Sequence, residues 1–347
     1  MKLVLLLKAR NTAHLVRQQK QVTRNGKTFM QAVWVNPNKE RHNGERKTQT
    51  ENTQEKRGNH FIPPQKFKAG DWAKQFVDPQ ATPDDAGSDH VLKSFGSGSE
   101  AELKKRINDA IAKNKALTPT YKWYRITEEG GKNARYNSGR EELHDKIKEK
   151  LLSPAKIRTA KPEDGNKPTM IMLGGRGGSG KSWFKNNLYD PNKFVILDAD
   201  SVKEKLPEYE CWNANQLHEE SSDILEQMID FCKENGLNVV IDMTMKTPKS
   251  AYERLTLFKD KGYRTEAHYM HLPPQEAAKR AIKRYRDGDD KPGQYKGRFV
   301  PPEVILSMRQ NEETFDQIKG LVDNWSFRDS TEGFPPKLIS QKSGKRA

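Results

Sequence analysis

Residues 169–182 read TMIMLGGRGGSGKS, and this stretch decides the fold. A mostly apolar run, residues 169–173, leads into Gly175–Ser182, which fits the phosphate-binding loop pattern G-x-x-x-x-G-K-[ST]. Glycines let the loop turn sharply and point successive N–H groups inward, and a helix starting near Lys181 adds its positive end. The competing interpretation is a glycine-rich turn that binds nothing. The flanking strand and the Gly-Lys-Ser ending favour the phosphate loop.

The loop supplies the first group of candidate residues. We expect a nucleotide, ATP or GTP, to bind through Gly175, Arg176, Gly177, Gly178, Ser179, Gly180, Lys181 and Ser182. Lys181 is expected to reach the outer phosphates as a point charge. The Ser182 hydroxyl is expected to hold a Mg²⁺ ion that bridges those phosphates.

Positive charge is concentrated at the start of the 347-residue chain. Residues 1–70 contain 15 Lys and Arg against 4 Asp and Glu, so they carry +11 of the chain's net charge of +15. Hydrophobic residues make up 33% of the sequence and the mean hydropathy is −0.99, so part of the length buries little. Because basic patches attract polynucleotides, nucleic acid is a candidate partner for this segment.

Cysteine content and hydropathy predict the compartment. The two cysteines, Cys211 and Cys232, are too few for a disulfide framework or a Cys-rich zinc site, which fits a reducing cytosol. The opening apolar run, residues 3–7, is too short for a signal peptide, and no later run approaches the roughly 18 apolar residues that span a bilayer. We therefore expect a cytoplasmic protein with no membrane partner.

The composition divides the chain into four predicted regions. They are a small β element (1–35), a polar, basic, linker-like region (36–94), a small helical and β region (95–160) and the P-loop domain (161–347). In the first region, residues 2–8 favour a strand and Asn25-Gly26 between two β-prone segments is a strong hairpin signal. In the third, helices are predicted from about residue 99 and over Arg140–Leu152, while Thr120–Thr127 alternates like a strand.

After the loop, predicted strands alternate with predicted helices. The strands are near 193–197, 237–241 and 264–270, and the helices near Asn213–Glu234, 250–261 and Pro274–Arg286. This alternation predicts an α/β fold of the P-loop NTPase type, a doubly wound parallel sheet with helices on both faces. In such sheets the functional site lies beyond the carboxyl ends of the strands.

Three acidic residues, Asp198, Asp200 and Asp242, follow predicted strands at that edge. Phosphoryl transfer needs an acceptor hydroxyl that is deprotonated and held in line, together with cations that neutralise the equatorial oxygens. One carboxylate can act as the base while another holds magnesium through water. Capping of the helix that begins near Ser201 is the competing role, and we expect Asp198 or Asp200 to serve it.

Two further groups of polar residues are candidates for substrate contact. His218, Ser222 and Glu226 lie four residues apart on one helix, either as a solvated face or as a ridge that contacts substrate. The basic helix near residues 274–286 precedes a Gly-rich charged loop, and Arg284 and Arg298 flank that loop. Arginines on a lid commonly clamp a transferring phosphoryl group, although a solvated helix face is the alternative.

In order along the chain, the motifs LGGRGGSGKS, VILDADSVKEKLP, NGLNVVIDMT and GRFVPPEV resemble those of the zeta-toxin kinases. The resemblance spans about residues 169–341 and implies phosphorylation of an amino-sugar hydroxyl of UDP-N-acetylglucosamine by a toxin with a small antitoxin partner. It implies a catalytic set of Lys181, Asp200 as general base, Arg284 and Arg298. The expected substrate contacts are Asp198, His218, Glu226, Asp242 and Thr244, and the expected metal ligands are Ser182 and Asp242.

Two departures from the family pattern bear on the substrate. Asp242 is followed by Met243 and Thr244, where the family has an acidic residue followed by Gly-Thr, so the sugar-contacting region is expected to differ. The basic N-terminal half is an addition that the toxin lacks, and residues 1–35 weakly resemble leaders of prophage-encoded proteins. Two alternatives therefore stay open: a polynucleotide 5′-hydroxyl kinase, or a module in residues 1–150 that binds nucleic acid, a phage component or a protein, attached to a nucleotide-gated switch.

Overall fold

The computed structural model describes residues 16–24, 27–35, 100–288 and 297–342, and the chain divides into two units, 1–62 and 63–347. In the first unit, strands β1 (Val16–Arg24) and β2 (Lys27–Val35) pair antiparallel, with Arg24 opposite Lys27. This pairing confirms the hairpin predicted at Asn25-Gly26. The strand predicted over residues 2–8 and the linker predicted over 36–94 lie outside the described residues.

The second unit contains strands and helices in alternation. The strands are β3 Thr169–Gly174, β4 Val195–Leu197, β5 Val239–Asp242, β6 Arg264–His271, β7 Asn324–Asp329 and β8 Lys337–Lys342. The helices are α1 Glu100–Ala116, α2 Tyr121–Tyr124, α3 Ser138–Leu151, α4 Pro154–Thr159, α5 Lys181–Asn187, α6 Ala199–Lys203, α7 His218–Glu234, α8 Pro248–Lys259, α9 Pro274–Asp287, α10 Pro302–Leu306 and α11 Asn311–Lys319. A 3₁₀ turn covers Gly131–Asn133.

The six strands of this unit form one sheet in the order β4-β5-β3-β6-β7-β8. Five of them are parallel, and β8 pairs antiparallel with β7. The prediction of a parallel α/β sheet is therefore confirmed. Because β3 leads into the phosphate loop, the strand ends at Leu197 and Asp242 lie on one side of the loop, and β6 to β8 lie on the other. The direction of winding reverses at β3, which is where such sheets carry their sites.

The core forms because β3 is apolar and sits in the middle of the sheet. Every residue of β3 after Thr169 is buried. Helix α7 covers one face of the sheet with buried residues: Leu217 at its N-cap, then Ser221, Ile224, Met228 and Cys232. Burial of a leucine, isoleucine or methionine side chain stabilises the fold by about 1.5–3 kcal/mol.

The segment before the sheet packs against it. Leu103 and Ile107 of α1 are buried in a cluster with Ala278 and Ile282 of α9, while Ile147 of α3 joins the main core. The helices predicted from residue 99 and over 140–152 are thus confirmed to within two residues. This segment contributes apolar surface to the same unit that carries the phosphate loop.

The strand predicted over Thr120–Thr127 is wrong. The chain forms the short helix α2 and then a single bridge between Arg125 and Tyr136. Alternation alone makes no strand without a neighbouring strand to pair with. The tyrosine rings of this segment make cation–π contacts instead. The guanidinium of Arg125 lies 4.3 Å from the Tyr121 ring, and that of Arg140 lies 4.2 Å from the Tyr124 ring.

Among the helices that the structure describes, none combines the length and apolar character needed to cross a bilayer.

Candidate functional site

The loop between β3 and α5 packs so tightly against its neighbours that some of its positions require glycine. Gly178 and Gly180 have φ values of 90° and 89°, in the left-handed region. A Cβ atom on Gly178 would lie 2.6 Å from the carbonyl oxygen of Ala277 in α9. The loop backbone therefore runs against α9, and any side chain at Gly178 would push the two apart.

A cleft of about 270 Å³ opens beside this loop. Its lining brings together most of the site residues that the sequence predicted. They come from the loop, from the strand ends and from the segments that carry Arg284 and Arg298. They are Arg176, Gly177, Gly178, Gly180, Lys181, Ser182, Asp198, Asp200, Asp242, Arg284 and Arg298. Two lining residues, Lys185 and Arg280, were not predicted. Each lies one helical turn from a predicted residue, Lys181 or Arg284, and that i, i+4 spacing is the signal that could have found them.

Lys181 reaches back over its own loop. Its Nζ donates to the carbonyl oxygens of Gly175 at 2.7 Å and Arg176 at 3.2 Å, and it lies 3.7 Å from Asp242 Oδ1. Burial lowers the pKa of Lys181 below its ordinary value, although the Asp242 carboxylate opposes this shift. A bound phosphate chain would add negative charge beside Nζ and favour the ammonium form.

Lys185 joins the two strand-end carboxylates. Its Nζ lies 2.7 Å from Asp242 Oδ2 and 3.0 Å from Asp198 Oδ2. Burial opposes its charge, but the two carboxylates raise the pKa of Lys185 above its ordinary value. The acidic side of the cleft therefore contains a permanent cation between β4 and β5.

The two aspartates after β4 have different roles. Asp198 caps α6, and its Oδ1 accepts a 2.9 Å hydrogen bond from the backbone N–H of Asp200. This confirms that one of the pair caps the helix. The carboxylate of Asp200 is held by side chains only: Lys203 donates to it at 3.2 Å, and Arg298 forms an ion pair with it.

Arg284 and Arg298 meet at the cleft although 14 positions separate them in the sequence. Gly297 packs against the end of α9, where an added Cβ would overlap the carbonyl oxygen of Arg284. Burial lowers the pKa of Arg298 somewhat, against the attraction of Asp198. Arginine has so high an ordinary pKa that it remains a cation. Part of the predicted lid, residues 289–296, lies outside the described residues.

The predicted role of Arg176 in nucleotide binding needs a correction for its side chain. The guanidinium is buried, pairs with Glu312, and donates to the carbonyl oxygen of Met308 at 2.8 Å. His271 contacts the same carboxylate at 2.8 Å. The side chain of Arg176 therefore anchors the loop to α11, because the buried carboxylate of Glu312 needs a cation beside it. Only its backbone can contact a phosphate.

Three predicted substrate contacts lie outside the cleft lining. Glu226 is paired with Arg254 at 3.0 Å, and the carbonyl oxygen of Thr244 accepts a 2.6 Å hydrogen bond from Asn311. His218 begins α7, where its carbonyl oxygen accepts a hydrogen bond from Ser222 at 2.8 Å. The loop residues Gly175 and Ser179 are buried behind the lining.

Two of the lining residues could bind a magnesium ion if the phosphates of a bound nucleotide supplied further oxygen ligands. Within the described ranges, no three or more His, Cys, Asp or Glu side chains are grouped to hold a metal. Ser182 and Asp242 line the same cleft. Mg²⁺ is commonly held by one or two protein oxygens plus waters and substrate phosphates, which matches this pair.

The cleft lies within the part of the chain that matches known proteins. Residues 154–324 match the family model described as Zeta toxin. The toxin zeta proteins of Enterococcus hirae and Streptococcus pyogenes are each 26% identical over 129 residues, which cover 34% of this chain and 44% of the toxin. The chain thus spans less than half the length of these curated relatives.

Solved structures show the same fold. A crystal structure of the AvrRxo1-ORF1:AvrRxo1-ORF2 complex with sulphate ions has a TM-score of 0.51 at 16% identity, over 65% of this chain and 77% of that one. The same complex with ATP has a TM-score of 0.50 at 16% identity, over 65% of this chain and 76% of that one. The comparisons therefore support a zeta-toxin-family domain over residues 154–324, which contain the phosphate loop and the strand-end aspartates.

Proposed function

We propose that this chain is a phosphotransferase that moves the terminal phosphoryl group of ATP or GTP to a hydroxyl of a small molecule. The observation that carries the proposal is that Lys181 of the phosphate loop and Asp200, which follows β4 two strands away in the sheet, line one cleft. The similarity to a fold solved with ATP supports a nucleotide as the donor. Such chemistry needs positioning and cations more than covalent catalysis, and the cleft offers both.

In this mechanism Asp200 takes the proton of the acceptor hydroxyl. The acceptor oxygen then bonds to the terminal phosphorus, and the bond from that phosphorus to the bridging oxygen breaks, leaving the diphosphate as the leaving group. Lys181, Arg284 and Arg298 neutralise the charge on the phosphoryl oxygens. Magnesium, held through Ser182 and Asp242, would add to that neutralisation. Arg298 has to release Asp200 first, and phosphoryl oxygens are the competing anion that draws it away.

We further propose that the acceptor is a nucleotide sugar such as UDP-N-acetylglucosamine, that the protein acts as a cytoplasmic toxin, and that a small antitoxin protein neutralises it. The similarity to the zeta-toxin family supports the nucleotide sugar, the toxin role and the antitoxin partner. The corner beyond β5 supports a difference in how the sugar is held, because Met243 packs against the main core and Thr244 is tied to α11.

Transfer of labelled phosphate from ATP tests the proposal. The acceptors would be UDP-N-acetylglucosamine, other UDP-sugars and a 5′-hydroxyl oligonucleotide, with Lys181→Ala and Asp200→Asn as inactive variants and the exposed Asp260→Asn as the matched control. We expect label on a UDP-sugar with the wild type and Asp260→Asn only. Label on the oligonucleotide alone would replace the nucleotide-sugar assignment with an end kinase. Absence of transfer to every acceptor would contradict the phosphotransferase.

The +11 charge of residues 1–70 favours a second function for the N-terminal half. A module there would bind nucleic acid or a phage component, and phosphate contacts would make its affinity fall steeply with salt. Binding of the full chain to a duplex, measured between 50 and 200 mM salt, should lose about two orders of magnitude or more if several phosphates are contacted. A flat salt dependence would contradict nucleic-acid binding.

A further inference from the structure

The strand order indicates how a nucleotide would be oriented in the cleft. The candidate base Asp200 follows β4, and the metal-side carboxylate Asp242 ends β5; both strands lie on one side of β3. A triphosphate bound by the loop with its reactive end toward these aspartates has its nucleoside end on the opposite side, toward β6, β7 and β8. The connection between β7 and β8, residues 330–336, is therefore a place to look for contacts to the base.

That connection places an aromatic ring beside the phosphate loop. Phe334 is a large apolar residue whose surface is 53% exposed. A Cβ atom on Gly180 would lie 2.5 Å from both Cε1 and Cζ of this ring, so the ring edge rests on the last glycine of the loop. An exposed aromatic ring that touches a phosphate loop offers a flat apolar surface where the nucleoside of a bound nucleotide emerges.

Arg280 adds a second flat group to the same place. It lines the cleft, and its guanidinium carbon lies 5.5 Å from the centre of the Phe334 ring. The guanidinium is held in position, because Nη2 donates to the carbonyl oxygen of Ser330 at 2.6 Å. Ser330 is fully buried, and its hydroxyl lies 2.9 Å from the carbonyl oxygen of Ser179 in the loop. The ring, the guanidinium and the phosphate loop are thus fixed relative to one another.

We propose that Phe334 and Arg280 form the stacking surface for the purine base of the nucleoside triphosphate. The inference rests on the proposed function and adds a base-binding subsite to it. Stacking on an aromatic ring contributes about 5- to 150-fold in affinity per base, and a guanidinium plane stacks in the same way. Such a surface accepts adenine and guanine alike, because both present a π face.

Calorimetric titration of the full-length protein with ATP and, separately, with inorganic tripolyphosphate tests this proposal. Phe334→Leu keeps apolar bulk against Gly180 but removes the ring, and Phe334→Trp keeps an aromatic face. We expect Phe334→Leu to weaken ATP binding about tenfold or more while tripolyphosphate binding stays within twofold, and Phe334→Trp to retain ATP binding. The matched control is Trp123→Leu, which removes another half-exposed ring outside the cleft lining.

The outcomes separate this inference from the phosphotransferase. Unchanged ATP affinity in Phe334→Leu, or an equal loss for ATP and tripolyphosphate, would overturn the stacking surface while leaving phosphoryl transfer intact. The expected loss for ATP alone, in a protein that transfers phosphate to no acceptor, would support the subsite and contradict the proposed reaction. A wild type that binds neither ligand would overturn both.

Discussion

Lys185 donates a 2.7 Å hydrogen bond to Asp242 and thereby joins the phosphate-loop helix to the end of β5. The same ammonium lies 3.0 Å from Asp198 at the end of β4. Two carboxylates on adjacent strand ends repel each other unless a cation lies between them. Lys185 therefore holds the acidic side of the cleft in one arrangement, and Lys181 Nζ lies 3.7 Å from the same Asp242 carboxylate.

Replacing Lys185 with methionine should lower turnover about tenfold or more, because Asp198 and Asp242 lose their shared cation and shift apart. The affinity for nucleotide should change less, since Lys181 remains. Steady-state phosphate transfer measures the turnover, and calorimetric titration with ATP measures the affinity. Lys193→Met, which removes a lysine from an exposed pair with Glu163, is the matched control and should behave as wild type. Equal turnover in the two variants would show that Lys185 has no role in positioning the site.

Arg298→Ala should reduce turnover about 100-fold, because donors aimed at developing charge contribute roughly 100- to 1000-fold each. Arg298→Lys should recover part of this loss, since lysine keeps the charge but not the forked geometry. Arg106→Ala, a change in an exposed helical ion pair, is the control. If Arg298→Ala leaves turnover unchanged and raises only the Michaelis constant for the acceptor, Arg298 binds substrate and does not stabilise the transferring group.

Glu312→Gln should destabilise the protein most at neutral pH. Burial acts against the carboxylate, but hydrogen bonds from His271 and Arg176 lower the pKa of Glu312 to about 2. A folded-state pKa below the ordinary value of 4.5 stabilises the protein above pH 4.5, and this stabilisation is lost as the pH falls toward 2. Urea unfolding at pH 7 and pH 3.5 should show a smaller difference from wild type at the lower pH. A difference in unfolding free energy between Glu312→Gln and wild type that grows on acidification would contradict the lowered pKa of Glu312.

Arg140→Met should destabilise the unit that carries the cleft, because α3 is tied to it by a buried charge. The Nε of Arg140 lies 2.6 Å from Glu220 Oε1, and Glu220 is fully buried. Leaving that carboxylate without Arg140 costs about 3–5 kcal/mol. Arg135→Met, which breaks a largely exposed pair with Glu141, should cost about 1 kcal/mol or less. Similar unfolding midpoints for the two variants would show that α3 is not part of the cooperative unit.

Local patterns were sufficient to predict the loop, the parallel sheet and most of helix α7. Each of these depends on residues close together in the sequence: glycines before Lys181, a short apolar strand, or apolar side chains at helical spacing. The hairpin at Asn25-Gly26 was predicted on the same grounds. Asp198 and Asp200 were recognised as a capping residue and a candidate base, although only the structure shows that Asp198 is the cap.

Long-range partners could not be predicted from the sequence. Arg176 lies inside the loop motif, yet its side chain pairs with Glu312, 136 residues further along the chain. Lys185 became recognisable as a bridge only when β4 and β5 proved to be neighbours. Thr120–Thr127 had the alternation of a strand, but within the described part of the chain it forms a single bridge, between Arg125 and Tyr136, and no ladder. In each case the deciding interaction joins residues that no local pattern connects.

Phosphate transfer by Asp200→Asn, compared with Asp198→Asn, tests the central claim most directly. Both variants remove one negative charge after β4, and only Asp200 is assigned as the base. We predict that Asp200→Asn loses at least about 100-fold in turnover while still binding ATP, and that Asp198→Asn loses less and still caps α6, because asparagine caps a helix about as well as aspartate. Near-normal turnover in Asp200→Asn together with an inactive, stable Asp198→Asn would contradict the account.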